Sequence, residues 1–130
     1  MTQAKTEWKY KKRKSFESRK QESLDIYHLY PKSVPIILER APNGKTPTAQ
    51  KEKYLVPRNL SVTNFILMVK KNMILNHDAS IYLLSKGKVL PPSWTMGEVF
   101  NEEKDEDGFL YLTYNSYLTF TYSRSHGRNL

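Results

Sequence analysis

Lys53-Tyr54-Leu55-Val56-Pro57 is the stretch whose reading decides the fold. A short apolar run of Tyr, Leu and Val stands between a lysine and a proline, with cationic, turn-rich segments on both sides. Pro57 has no N–H to continue a ladder, so the strand either lies at a sheet edge or stops there. An edge strand carries unpaired backbone groups, which invite aggregation or the docking of an extended peptide. Docking is the reading adopted, with Lys51 and Lys53 supplying positive charge beside the edge.

Working upstream, Val34-Pro35-Ile36-Ile37-Leu38-Glu39 runs on without alternation and reads as a strand buried on both faces. Ala41-Pro42-Asn43-Gly44 and Lys45-Thr46-Pro47 make a loop longer than a tight hairpin. Gly44-Lys45-Thr46 imitates the end of a phosphate-binding loop. Glu39 stands where that motif needs its first glycine, and a carboxylate there would repel phosphate. Further upstream, Lys9 to Lys14 form a basic cluster with Trp8 and Tyr10. It reads either as a surface for anionic lipid, nucleic acid or an acidic protein such as tubulin, or as a solvated helix turn or frayed end. Ser15 is a candidate N-cap with Glu17 in the first turn, and the composition is helical from Phe16 to about Leu29. Ser23, Ile26, Tyr27 and Tyr30 share one predicted face of that helix, and Pro31 ends it.

Working downstream, Ser61 is a candidate N-cap, and Val62, Phe65, Ile66, Val69 and Met73 follow an amphipathic helical spacing. Lys70, Lys71 and Asn72 take its wet side. Ser80-Ile81-Tyr82-Leu83-Leu84 reads as a strand reaching a turn at Lys86-Gly87, with Val89-Leu90-Pro91-Pro92 as a stiff extended piece. Thr95 and Glu98 form a capping box for a short helix through Phe100. Asn101 to Gly108 is acidic, but a calcium loop would need ligands where Leu110 and Tyr111 stand, and no glutamate closes it. A solvated turn is expected there. Phe109 to Tyr114 is the last clear strand, and Tyr117 to Tyr122 suits an extra strand or a docked tail. The order of elements gives an α+β fold, a β-grasp sheet with one helix packed across it. The expected divisions are a basic helical arm over residues 1–30, the β-grasp domain over 31–121 and a tail over 122–130.

Composition narrows the function. The chain has 130 residues, a formal net charge of +8 and no cysteine. Disulfides, thiol nucleophiles and thiolate metal sites are thereby excluded, and the charge favours acidic partners. No apolar run approaches the roughly 20 residues a bilayer span needs. The basic N-terminus lacks the apolar region of a signal peptide, and the last residues are not a prenylation box. His28, His77 and His126 are scattered with no nucleophile–base pairing, so no enzyme activity, metal or cofactor is expected.

Several segments together resemble a known family. They are Phe16-Glu17-Ser18-Arg19-Lys20, Tyr30-Pro31, the Val34 to Ala41 strand, Lys53 to Pro57, Leu90-Pro91-Pro92, Thr95-Met96-Gly97 and Lys104 to Tyr111. In order and spacing the chain is similar to the autophagy ubiquitin-like modifiers, the GABARAP and light-chain-three group, from about Trp8 to Phe120 without a gap. The resemblance implies a ubiquitin-like β-grasp with two additional N-terminal helices. It implies an adaptor that binds aromatic-x-x-aliphatic motifs of cargo receptors and autophagy machinery, which add as a strand beside Tyr54. The deeper pocket, for the aromatic residue, would use Glu22, Ile26, Pro35, Ile37, Lys53, Leu55 and Phe109. The shallower one would use Tyr54, Val56, Pro57, Leu60, Phe65 and Met68. Lys51 and Lys53 would attract acidic residues flanking the motif.

The family ends its fold in an aromatic residue followed by glycine, which processing and conjugation enzymes join to phosphatidylethanolamine. Phe120-Thr121 stands there in this chain. A β-branched threonine cannot replace a residue without Cβ in a narrow catalytic tunnel, so the lipidation site is missing from its usual register. Gly127 is the alternative site, six residues later and without the preceding aromatic. Asn115-Ser116-Tyr117-Leu118 replaces a more polar tail, and Lys32-Ser33 an acidic-basic pair. The resemblance places the protein in the cytoplasm, and at autophagosomal membranes or cytoplasmic vesicles when lipidated. The competing reading is a soluble microtubule- or RNA-binding module acting through the Lys9 to Lys14 cluster.

Overall fold

In the computed structural model, residues 7–42, 44, 49–73 and 80–116 are described. Two helices lead the chain, α1 (Lys9–Arg13) and α2 (Phe16–Leu29). Strands β1 (Ser33–Arg40) and β2 (Lys53–Pro57), helix α3 (Val62–Lys71) and strands β3 (Ile81–Ser85) and β4 (Lys88–Val89) follow. Helix α4 (Met96–Glu103) and strand β5 (Leu110–Ser116) complete the described elements. The sheet order is β2-β1-β5-β3-β4, with β1 and β5 parallel at the centre and the other neighbouring pairs antiparallel. This is a β-grasp topology.

The expected caps form where the sequence places them. Ser15 Oγ accepts from Ser18 N at 3.1 Å and Ser61 Oγ from Asn64 N at 3.0 Å. Thr95 and Glu98 close a reciprocal capping box. Each cap satisfies N–H groups that the first helical turn leaves unbonded. Lys86 and Gly87 both have positive φ, 51° and 82°, which is what a two-residue hairpin between β3 and β4 requires.

Central β1 separates two apolar layers. Val34, Ile36 and Leu38 on β1, Leu110 and Leu112 on β5, and Val62, Phe65 and Val69 on α3 belong to the larger core. Ile37, Phe109, Tyr111 and Tyr10 form a smaller layer on the opposite face, joined by Trp8 and Ile26. Strand β1 is therefore buried on both sides, as its unbroken apolar run predicts.

Two expectations are corrected. Tyr27 and Tyr30 point to solvent, 62% and 52% exposed, because α2 buries Arg19 and Ser23 and half-buries Glu22 and Ile26 instead. The acidic loop is not a solvated turn. Asp107 is fully buried, its Oδ2 accepting from Arg19 Nε at 2.8 Å and from the Tyr111 hydroxyl, and its Oδ1 from Phe109 N at 2.9 Å. Arg19 Nη1 also donates to the carbonyls of Lys14 at 2.6 Å and Lys11 at 3.3 Å, so one buried ion pair ties both N-terminal helices to β5. The Tyr117 to Tyr122 segment lies outside the described residues.

Candidate functional site

Strand β2 is one of the two edges of the sheet, β4 the other. Leu38 N donates to Glu52 O at 2.7 Å, and the register pairs Ile36 with Tyr54 and Val34 with Val56. In an antiparallel ladder only alternate residues turn their backbone groups toward the partner. Tyr54 and Val56 therefore face β1, whereas the N–H and C=O of Lys53 and Leu55 point away from the sheet. Pro57 closes the edge without an N–H. Two donors and two acceptors stand ready for an incoming strand.

Side chains on β2 alternate between the two faces of the sheet. Lys53 lies opposite Ile37, and Leu55 opposite Pro35, on the face that α2 covers. Ile37, Phe109 and Pro35 are buried there, and Glu22, Ile26, Lys53 and 43%-exposed Leu55 form the rim around them. On the other face Tyr54, Val56 and Phe65 are core residues, with Tyr54 edge-on to Phe65 at 5.2 Å between centroids. Met68 is exposed and Leu60 half-buried around that floor, and exposed Pro57 ends the strand on the face of Lys53 and Leu55. The register thus puts Lys53, Leu55 and Pro57 on the α2 face of the edge strand and Tyr54 and Val56 on the other, so Pro57 is separated from the shallower group to which the resemblance assigned it.

Glu22 organises the charge of the first group. It accepts from the Tyr10 hydroxyl, from Lys53 Nζ and from Lys14 Nζ, the last at 2.9 Å. Burial opposes its ionisation, but the hydrogen bonds from Lys53, Tyr10 and Lys14 outweigh that and hold its carboxyl down at about 2. Burial first, then the Glu22 carboxylate, pushes the Tyr10 hydroxyl up to about 12. Lys53 Nζ also lies 4.9 Å from the Tyr10 ring centre, and exposed Lys51 lies 5.0 Å from the Tyr54 ring centre. Burial likewise raises the Tyr54 phenol to about 12, with nearby Asn72 opposing the shift.

The basic cluster is built into the domain. Tyr10 is 1% exposed and packs edge-on to Phe109 at 5.6 Å. Lys11 pairs with Asp105 at 2.8 Å, Arg13 with Glu52, and Lys14 with Glu22. Glu39, the residue that spoils the phosphate-loop motif, accepts from Lys9 N and Tyr10 N, both at 3.2 Å, at the start of α1. Sequence reasoning missed Tyr10, Arg19 and Asp107 as organisers of this face. Trp8 and Tyr10 beside the basic run were the available signal. Thr121, His126 and Gly127 lie outside the described residues, and so does the question of a lipid-accepting terminus. Among the described residues no helix is long and apolar enough to cross a membrane.

A β-grasp sheet with an open edge strand and two helices docked on its outer face defines a ubiquitin-like domain. Comparison with known proteins narrows this. The family described as "Autophagy protein Atg8 ubiquitin like" matches residues 18–121. Autophagy-related protein 8c of Arabidopsis thaliana is 40% identical over 104 residues, covering 80% of this chain and 87% of the relative. Autophagy-related protein 8e of the same plant is 37% identical over 111 residues, 85% of this chain and 91% of the relative. The crystal structure of Trypanosoma brucei ATG8 superimposes with a TM-score of 0.81 at 32% identity, covering 85% of this chain and 96% of that one. The chain belongs to the Atg8 family and is an autophagy-related ubiquitin-like modifier.

Proposed function

We propose that the protein acts as an adaptor, binding short aromatic-x-x-aliphatic segments of autophagy receptors and machinery at the β2 edge. The observation that carries this reading is the parity of the site. Side chains three apart on an extended strand point to opposite faces. The exposed edge has one apolar group on each face, so a strand added there can place an aromatic beside Leu55 and Ile37 and an aliphatic beside Val56 and Phe65. A spacing of two or four would drive both side chains to one face. The backbone groups of Lys53 and Leu55 supply the ladder, and Glu22, Ile26, Pro35 and Phe109 surround the aromatic. Tyr54, Leu60 and Met68 border the aliphatic, and Lys51 meets acidic residues on the ligand's flank.

The test is titration of the full chain with a Trp-x-x-Leu peptide. Leu55→Arg puts a charged side chain into the aromatic group and should abolish binding while leaving the fold intact, since Leu55 already faces solvent. Retained affinity would overturn the assignment. The microtubule or RNA reading is not favoured, because Lys11, Arg13 and Lys14 are already paired within the domain. Attachment to phosphatidylethanolamine, and with it residence on autophagosomal membranes, would need processing and conjugation enzymes to expose and use Gly127. Intact mass of the cellular protein tests this: a species ending at Gly127 and carrying a phospholipid supports it, and only lipid-free chain that continues past Gly127 refutes it.

A further inference from the structure

Between α2, α4 and the loop that leads into β5 lies a groove of about 620 Å³. Helix α2 supplies Leu24 and Tyr27, which are 40% and 62% exposed, and α4 supplies Phe100. Pro31 and Pro35 complete an apolar floor. The rim is cationic: Lys20, Arg58 and Lys104 all line it, and none is in an ion pair within 4 Å among the described residues. Two of them lie over a ring rather than a carboxylate, and Arg58 Nη2 also donates to Asn101 Oδ1 at 2.6 Å. The Arg58 guanidinium lies 5.5 Å from the Phe100 ring centre, and Lys104 Nζ 5.4 Å from it. Lys20 Nζ donates to the Glu106 carbonyl at 3.1 Å. Of the two carboxylates at the groove, Asp105 is engaged by Lys11 at 2.8 Å, which leaves Glu106 as the single uncommitted anion against three cations.

A solvated charged surface needs no aromatic floor, and an apolar contact for a neutral partner needs no ring of unpaired cations. The two features together select one chemistry. We propose that this groove is a second docking site, for an acidic peptide segment that presents one large apolar side chain between its carboxylates. The apolar group lies on Leu24, Tyr27 and Phe100, and the flanking carboxylates reach Lys20, Arg58 and Lys104, the last two already placed over the Phe100 ring. The site overlaps the β2-edge group only at Ile26 and Pro35: Lys20, Leu24, Tyr27, Arg58, Phe100 and Lys104 take no part in that group.

The test uses the full chain carrying Leu55→Arg, which silences the β2 edge, titrated by amide NMR with a blocked Asp-Glu-Phe-Glu-Asp peptide. Expected are saturable shifts at Leu24, Tyr27, Phe100 and Lys104, weaker binding as salt rises, and a loss of about tenfold in Arg58→Glu/Lys104→Glu, as for two rim charges reversed. Leu24→Arg, at an already exposed position, should weaken it comparably. Control peptides with lysine replacing the acids, or alanine replacing phenylalanine, should bind poorly. No saturable shift at millimolar peptide, shifts confined elsewhere, or equal binding of either control would overturn the proposal. Failure of a Trp-x-x-Leu peptide to bind the unsubstituted chain would instead sink the β2 reading and leave this one standing.

Discussion

Replacing Asp107 by asparagine removes a charge and almost no volume, so its effect isolates the buried ion pair that fastens the N-terminal helices to the sheet. The Asp107 side chain is fully buried and that of Arg19 is 9% exposed. Removing one partner of such a pair usually costs about 3–5 kcal/mol, because the other charge stays buried without its counterion. Arg19 keeps its bonds to the Lys11 and Lys14 carbonyls. That places Asp107→Asn at the lower end, about 3 kcal/mol. For a domain of this size, 1 kcal/mol moves Tm by about 4 °C, so the expected drop is about 12 °C. Thermal and urea denaturation read it directly. A double-mutant cycle with Arg19→Met should return a coupling of at least about 1.5 kcal/mol. Trypsin should cut the Lys/Arg-rich α1 of the variant faster, since α1 loses its tie to β5. A Tm drop under about 4 °C, the value of a mere surface pair, would refute the lock.

Acid should weaken the same face by a second route. The Glu22 carboxyl is held at about 2 in the fold against an ordinary value of 4.5, so its contribution is complete above about pH 4.5 and is lost as pH falls toward 2. Urea midpoints between those limits should fall more for the natural chain than for Glu22→Gln, and parallel curves would contradict the assignment. Gly108→Ala should destabilise by about 2 kcal/mol or more, because its φ is +94° and an added Cβ would stand 2.2 Å from Ser23 Oγ. Adding Ser23→Gly should recover part of that loss, and no recovery would assign the whole effect to backbone strain.

How much of this was legible follows from which signals the chain carries openly. The edge strand, both faces of β1, the caps at Ser15, Ser61 and Thr95, and the α3 stripe were readable because each rests on local chemistry or unbroken apolar pattern. Helix α2 was readable as a helix but not in its orientation. Its inward stripe contains Arg19, Glu22 and Ser23, polar residues that no hydrophobic period reveals, and its one tyrosine, Tyr27, faces outward, as does Tyr30 at its C-cap. The acidic loop misled for the matching reason. Asp107 is buried only because Arg19 reaches it from 88 positions away in sequence, and a nonlocal pair leaves no trace in local composition. The peptide-contacting residues were assigned from resemblance, and only the β1–β2 register shows which of those on β2 share a face.

The excess positive charge now has a location, and it bears on function. Composition alone suggested acidic partners and pointed first to the Lys9 to Lys14 run. In the fold Lys11, Arg13 and Lys14 are committed to Asp105, Glu52 and Glu22. Cations that remain in no ion pair within 4 Å among the described residues include Lys51 at the β2 edge, Lys70 and Lys71 at the end of α3, and Lys20, Arg58 and Lys104 around the α2–α4 groove. Lys51, Arg58 and Lys104 lie against aromatic rings. A nucleic-acid surface would need a continuous stripe of free cations along a backbone path. Free cations posted beside exposed apolar ground suit peptides that pair a hydrophobic anchor with acidic neighbours, where the anchor supplies the affinity and the flanking charges supply the rate and the choice of partner.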